Sequence, residues 1–184
     1  MTQAIQKKLN DSAFARWTAL ILVALTMFFG YMFVYVLSPL QNMLESTRGW
    51  SPTIFGLYGG SEFILNVCGF LLVAGIILDK MGVRFTGILS ASLMVLGAGI
   101  KFYGLSNYFY EGGFGYEFLS SFLTDIPASA KLACLGFMVF GCGTEMAGVT
   151  VSRAIVKWFT GKELALAMGL EMAIAPLGGF AAFS

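Results

Sequence analysis

The sequence contains no histidine and has few charged residues. Of its 184 residues, 58% are hydrophobic and 11% are charged, whereas soluble domains average roughly 45–50% apolar and about 25% charged residues. A soluble globule of this composition would leave large apolar surfaces in contact with water. The net charge is +1, so the chain lacks the basic field that gathers nucleic acid. The composition indicates an integral membrane protein and argues against a nucleic-acid partner.

The scarcity of metal-ligating and nucleophilic side chains argues against an enzyme. The three cysteines lie inside apolar runs, and their spacing matches no zinc, haem or iron–sulfur pattern; they are Cys68, Cys134 and Cys142. An odd number of cysteines gives no disulfide framework, and no serine or cysteine has an evident base beside it. We expect no metal site and no cofactor, and we interpret the cysteines as small packing residues.

Long hydrophobic runs are abundant, and they predict an all-α membrane fold. Five segments are apolar enough and, at 1.5 Å per residue, long enough to cross a hydrocarbon layer of about 30 Å. These segments are residues 17–37, 55–78, 85–104, 132–152 and 164–183. Residues 1–16 form a polar tail, and residues 105–131 form a long, aromatic-rich loop expected at the membrane interface. The prediction is a tail followed by a five-helix membrane domain over 17–184.

The distribution of basic residues predicts the orientation of the chain, because cytoplasmic loops carry an excess of lysine and arginine. The tail and alternate loops place eight basic residues on one side, namely Lys7, Lys8, Arg16, Lys80, Arg84, Arg153, Lys157 and Lys162. The other side has three, namely Arg48, Lys101 and Lys131. We therefore expect a cytoplasmic N-terminus. The short loops and tail fit a bacterial inner membrane, and a eukaryotic organelle is the alternative.

The turn after the second segment carries a recognisable motif. It reads Gly75-Ile-Ile-Leu-Asp79-Lys80-Met-Gly82-Val-Arg84-Phe85. A glycine allows a close helix crossing, the aspartate can hold a basic residue or a helix N-terminus, and Gly82 suits a tight turn. The pattern resembles motif A of the major facilitator superfamily, G-x-x-x-D-(R/K)-x-G-x-(R/K)-(R/K), except that Phe85 replaces the last basic residue. The resemblance implies that these residues, with Arg153, gate the cytoplasmic side; the alternative is an ordinary basic turn.

A second stretch strengthens this resemblance. Gly141-Cys-Gly143-Thr-Glu145, followed by Val156-Lys157-Trp158-Phe159-Thr-Gly161-Lys162-Glu163-Leu164, is similar to the region of helices four and five in the superfamily. The W-F-x-G-K-E-L motif is most similar to the branch of lysosomal dipeptide exporters and their bacterial relatives. The resemblance implies secondary transport, by symport or antiport, of a small peptide, zwitterion or organic anion.

The superfamily builds twelve helices from two halves, and this sequence supplies five. We therefore expect an incomplete N-terminal half that requires a C-terminal half as its partner, embedded in a lipid bilayer. The alternative that remains open is a membrane-embedded assembly or interaction subunit without transport of its own.

Three acidic residues fall at membrane depth and are the first candidates for function. Glu62 has Tyr58 and Asn66 four residues away on either side, so all three share one helix face. This face is expected to meet Tyr31 and Tyr35 of the first segment and to line a substrate cavity. The alternative is that Glu62 lies at the membrane interface and has no functional role.

The other two acids, Glu145 and Glu171, each lie about eight residues from the basic cytoplasmic turn, so both are expected about 12 Å inside the membrane. Neighbouring carboxylates in a low dielectric would share a proton, which suits ion coupling. Alternatively, either acid could neutralise a buried basic residue such as Arg153.

Overall fold

The computed structural model describes residues 12–184 and is almost entirely helical. The predicted tail falls mostly outside these residues, and so do Lys7 and Lys8. No strand occurs in the described part of the chain. The helices are α1 (Ala13–Tyr35), α2 (Gln41–Arg48), α3 (Pro52–Leu65), α4 (Leu71–Leu105), α5 (Asn107–Tyr110), α6 (Tyr116–Ser120), α7 (Ala128–Phe159) and α8 (Leu164–Ala181).

Local sequence explains several helix ends. The Ser12 side chain accepts a hydrogen bond from the Ala15 amide and begins α1, and Ser51 does the same for Ile54 at the start of α3. Gly49 ends α2 in a left-handed conformation, with φ 70°. The short α2 and the linker behind it are anchored by the buried Trp50, whose indole nitrogen donates to the Ser129 hydroxyl at 3.0 Å.

Four continuous helical stretches are long and apolar enough to cross a membrane: Ala13–Arg48, Pro52–Leu105, Ala128–Phe159 and Leu164–Ala181. Many large apolar side chains on these stretches are exposed, including Leu22 at 62%, Val67 at 84% and Phe180 at 75%. An apolar exterior of this kind is compatible with insertion into a bilayer. The number of crossings and their orientation remain predictions.

The stretch Pro52–Leu105 reverses direction at Gly82, which has φ 78° and ψ 172°. Before Gly82 the chain runs parallel to α7. The contacts that show this are Trp50 with Ser129, Tyr58 with Phe137, and Asp79 with Arg153. After Gly82 the chain runs antiparallel to α7. The contacts that show this are Gly87 with Thr150, Gly97 with Phe140, and Gly104 with Leu132. The predicted segments 55–78 and 85–104 therefore pass α7 in opposite directions, and the positive φ of Gly82 makes the turn between them.

Glycines bring α4, α7 and the outer helices into close contact. A methyl group on Gly97 would lie 2.4 Å from the Phe140 amide nitrogen, and one on Gly136 would lie 2.6 Å from the Lys101 amide nitrogen. On the other side, a methyl group on Gly178 of α8 would lie 1.8 Å from the Phe28 carbonyl oxygen of α1. The helices thus pack backbone against backbone, as helices in membranes commonly do.

Two predicted boundaries are wrong. The segment 132–152 is too short, because α7 extends in both directions and the basic turn shrinks to a few residues before Leu164. The predicted loop 105–131 contains α5 and α6, and its last residues already belong to α7.

Candidate functional site

A cavity of about 330 Å³ lies between α1, α3, α4 and α7. Among the described residues that line it, Glu62 and Glu145 are the charged ones. Its remaining lining consists of Thr26, Met27, Gly30, Tyr31, Val34, Tyr35, Phe63, Met94, Thr144, Ala147 and Gly148. Four of the predicted site residues, Tyr31, Tyr35, Glu62 and Glu145, therefore share one wall.

The two carboxylates of the cavity come from neighbouring helices. Glu62 of α3 is 6% exposed, and its backbone carbonyl lies 2.2 Å from the position that a methyl group on Gly141 of α7 would take. Glu145 follows one turn later on α7 and lines the same cavity as Glu62. The absence of a side chain at Gly141 is what lets α3 bring Glu62 to this level.

The remaining residues of the predicted face around Glu62 have different surroundings. Tyr58 is 2% exposed, its ring stacks on Phe137 with centroids 4.5 Å apart, and it lines a second cavity of about 160 Å³ that Glu62 also lines. The Asn66 amide donates to the Glu62 carbonyl at 3.2 Å and to the Gly141 carbonyl at 3.3 Å. Asn66 thus joins α3 to α7 and is not among the residues that line either cavity.

Glu171 does not lie at the depth of Glu145. Because α7 continues to Phe159, Glu145 is 14 residues, or about 21 Å, from that end of its helix. Glu171 is 7 residues, or about 11 Å, from Leu164 at the start of α8. The expectation of equal depth is wrong, and Glu171 is absent from the cavity wall. The carboxylate that accompanies Glu145 there is Glu62.

Lys101, counted above among the basic residues of the outer side, was not predicted to belong to the site. Lys101 is 4% exposed and lies within the bundle. Its ammonium donates to the Phe33 carbonyl of α1 at 2.9 Å, and it lies 4.9 Å from the centre of the Phe137 ring and 5.4 Å from that of Phe140. The available signal was its position inside the segment 85–104, where a basic residue at membrane depth is itself a functional candidate.

At the opposite end of the bundle, Asp79 accepts a hydrogen bond from the Arg153 guanidinium in a direct ion pair. Of the two partners expected for Asp79, a basic residue or a helix N-terminus, the structure shows a basic residue, and Arg153 pairs with Asp79 and not with Glu145 or Glu171. Gly75 does not form the expected close crossing, because a methyl group there would meet nothing within 4 Å. Lys80 and Arg84 are exposed beside the turn.

Within the described residues, no group of three or more histidine, cysteine, aspartate or glutamate side chains is arranged to hold a metal ion. The residues that line the cavity offer carboxylates, hydroxyls and thioethers to a ligand. No family model matches the chain, and no solved structure matches it.

Proposed function

We propose that this chain is the N-terminal bundle of a secondary transporter that moves a small, amine-bearing solute by alternating access, with a proton as the coupling ion. The observation that carries the proposal is the cavity between α1, α3, α4 and α7, whose charged lining residues are Glu62 and Glu145. A carboxylate pair beside hydroxyl groups suits a protonated amine, as in a small peptide or zwitterion, better than an organic anion.

The cost of acidic residues at this depth supports a functional role. An acidic residue in mid-helix costs roughly 2.5–3.5 kcal/mol on insertion scales. Glu145 lies about halfway along α7, and Glu62 lies beside it on the neighbouring helix. Such residues are rare unless they pair, face an aqueous cavity or carry ions. Here they face a cavity, and two adjacent carboxylates can exchange one proton for one amine.

The exposed tyrosines on the cavity side support a second bundle as partner. Tyr31 is 39% exposed and Tyr35 is 40% exposed, although both lie on the membrane-spanning α1. Phenolic hydroxyls facing hydrocarbon would lack hydrogen-bond partners. A C-terminal half packed over this face would cover them and complete a site near the midplane, as in transporters built from paired repeats.

The ion pair between Asp79 and Arg153 supports a gate at the cytoplasmic end. It joins the turn at Gly82 to α7, so it links the reversal of the chain to the helix that carries Glu145. A pair that forms in one conformation and separates in another biases the equilibrium between them.

The test is uptake by the complete natural protein reconstituted in liposomes, with a panel of labelled dipeptides, amino acids, amines and carboxylic acids. We expect Glu145→Gln to lower uptake of the amine-bearing solutes by at least about tenfold, because a lost charge-assisted hydrogen bond is worth about 1.5–3 kcal/mol. The control is Glu117→Gln, which changes an exposed glutamate of α6 that does not line the cavity. Unchanged uptake in Glu145→Gln would contradict the proposal.

A further inference from the structure

Lys101 is a buried cation that the proposed transport cycle does not use. Burying an ammonium in a bundle interior costs several kcal/mol unless other groups compensate it. If Lys101 only filled space, an apolar side chain of similar length would serve as well or better. Its presence at 4% exposure therefore calls for a partner of opposite charge.

Two kinds of group surround the Lys101 ammonium, a backbone carbonyl and three aromatic rings. The Phe33 carbonyl belongs to the last turn of α1, where carbonyl groups lack partners within the helix and the helix dipole favours a cation. The rings of Tyr58, Phe137 and Phe140 lie 4.9–5.9 Å away and attract a cation through their faces. None of these four groups carries a full negative charge.

The acidic residue on this side of Lys101 is Glu62. The Lys101 ammonium lies 5.9 Å from the centre of the Tyr58 ring, and Glu62 follows Tyr58 by one turn of α3, although the structure shows no direct ion pair between Lys101 and Glu62. The geometry agrees, because Tyr58 and Phe137 line the cavity of about 160 Å³ that Glu62 also lines. Glu62 thus faces Glu145 in the larger cavity and lies near Lys101 behind it.

We propose that Lys101 is the fixed counter-charge of Glu62, so that the cluster of two carboxylates and one ammonium carries one net negative charge. Such a cluster accepts one positive charge at a time, either a proton or the amine of a solute. Lys101 is then a positioning residue, since it acts on the cavity through Glu62 and does not line it. The statement about the solute rests on the proposed transport function, whereas the pairing of Lys101 with Glu62 does not.

The groups facing Glu62 come from several helices. Tyr58 is on α3 itself, Glu145 is on α7, Lys101 is on α4, and Tyr31 and Tyr35 lie across the cavity on α1. Of these groups, Lys101 is the cation. Removing its charge leaves Glu62 and Glu145 to repel each other in a medium of low dielectric.

The test is a double-mutant cycle on the complete natural protein in detergent. The melting temperature is measured for the wild type, Lys101→Met, Glu62→Gln and the double variant. The lost hydrogen bond to the Phe33 carbonyl is common to both Lys101→Met proteins, so it cancels in the cycle. We expect Lys101→Met to lower the melting temperature by several degrees and Glu62→Gln to recover most of that loss in the double variant.

Lys131 provides a matched control. Its ammonium also donates to carbonyl groups, those of Leu119 and Phe122, and lies 4.7 Å from the centre of the Phe122 ring. Because Lys131 lies at the end of the bundle away from Glu62, Lys131→Met and Glu62→Gln should change the melting temperature additively. If Lys101→Met and Glu62→Gln also changed the melting temperature additively, the inference would be overturned.

Uptake by the same variants separates the two proposals. If the wild type transports an amine-bearing solute, Lys101→Met should lower uptake by at least about tenfold, and the double variant should transport more than Lys101→Met does. If no solute is transported but the melting temperatures are coupled, the proposed function fails and the pairing of Lys101 with Glu62 stands.

Discussion

Contact between α4 and α7 depends on glycines at which no side chain fits. At Gly97 a methyl group would meet the backbone of Phe140 at 2.4 Å, and backbone atoms cannot rotate away as a flexible side chain can. Close packing of this kind places Lys101, one turn later, deep inside the bundle. The smallest residues of the sequence thus determine where its buried charge lies.

Gly97→Ala should therefore destabilise the protein. We expect a loss of about 1–3 kcal/mol, the usual range for overpacking, because α4 must move away from α7. Gly99→Ala is the matched control, since a methyl group there meets nothing within 4 Å and alanine favours the helix. Thermal unfolding of both variants in detergent checks the difference. Equal melting temperatures for the two variants would contradict the packing described here.

The acidic residues of the site were predictable at the scale of single residues, whereas their partners were not. Glu62 and Glu145 stand out because acids are costly inside apolar segments. Their proximity depends on Gly141, which lets α3 approach α7. Lys101 was counted among the basic residues of the outer side because it lies near the end of an apolar run. Its burial follows from the close packing of helices at glycines, and the hydropathy of a sequence does not predict which helices pack closely.

At the scale of elements, apolar runs located the helices but not their lengths. The basic residues Arg153 and Lys157 end the hydrophobic run of α7, yet the helix continues to Phe159 because its last turns pack on α1 and α8 through Leu20, Ile155 and Ala167. Because α7 is longer than predicted, Glu145 lies farther from the turn between α7 and α8 than Glu171 does. The turn at Gly82, in contrast, was predictable, since a tight turn between two apolar runs favours glycine.

The link between elements at that turn is the ion pair of Asp79 and Arg153. Their side chains are 67% and 51% exposed, so either single substitution should change the free energy of unfolding by less than about 1 kcal/mol. We expect Asp79→Asn nevertheless to lower uptake, because the pair is proposed to bias the transport conformations. Uptake and melting temperature are measured together.

A charge exchange distinguishes the pair from its separate residues. The variant carrying both Asp79→Arg and Arg153→Asp should transport more than either single substitution, while Lys157→Gln, at an exposed lysine one turn after Arg153 on α7, should leave uptake unchanged. Failure of the exchanged protein to exceed both single variants would argue against a gate formed by this pair.

At the scale of the whole molecule, the described chain has an apolar exterior and a charged interior. Exposed side chains such as Leu72 at 76% and Val95 at 72% suit contact with lipid, while Glu62 and Lys101 are buried. The burial of Lys101 also leaves Arg48 and Lys131 as the basic residues at the predicted outer side, which strengthens the charge bias behind the predicted orientation.

The central claim is that the cavity beside Glu145 opens in turn to the two sides of the membrane. Thr144 lines this cavity and lies halfway along α7. In the complete natural protein with its cysteines replaced by serine, Thr144→Cys should react with a membrane-impermeant thiol reagent added to either side. Ala133→Cys, at a position with 0% exposure, should not react.

The decisive measurement is the rate of Thr144→Cys labelling from each side, with and without a transported amine-bearing solute. The account predicts labelling from both sides, slowed by the solute. Labelling from one side alone, or labelling that no solute of the panel slows, would contradict it.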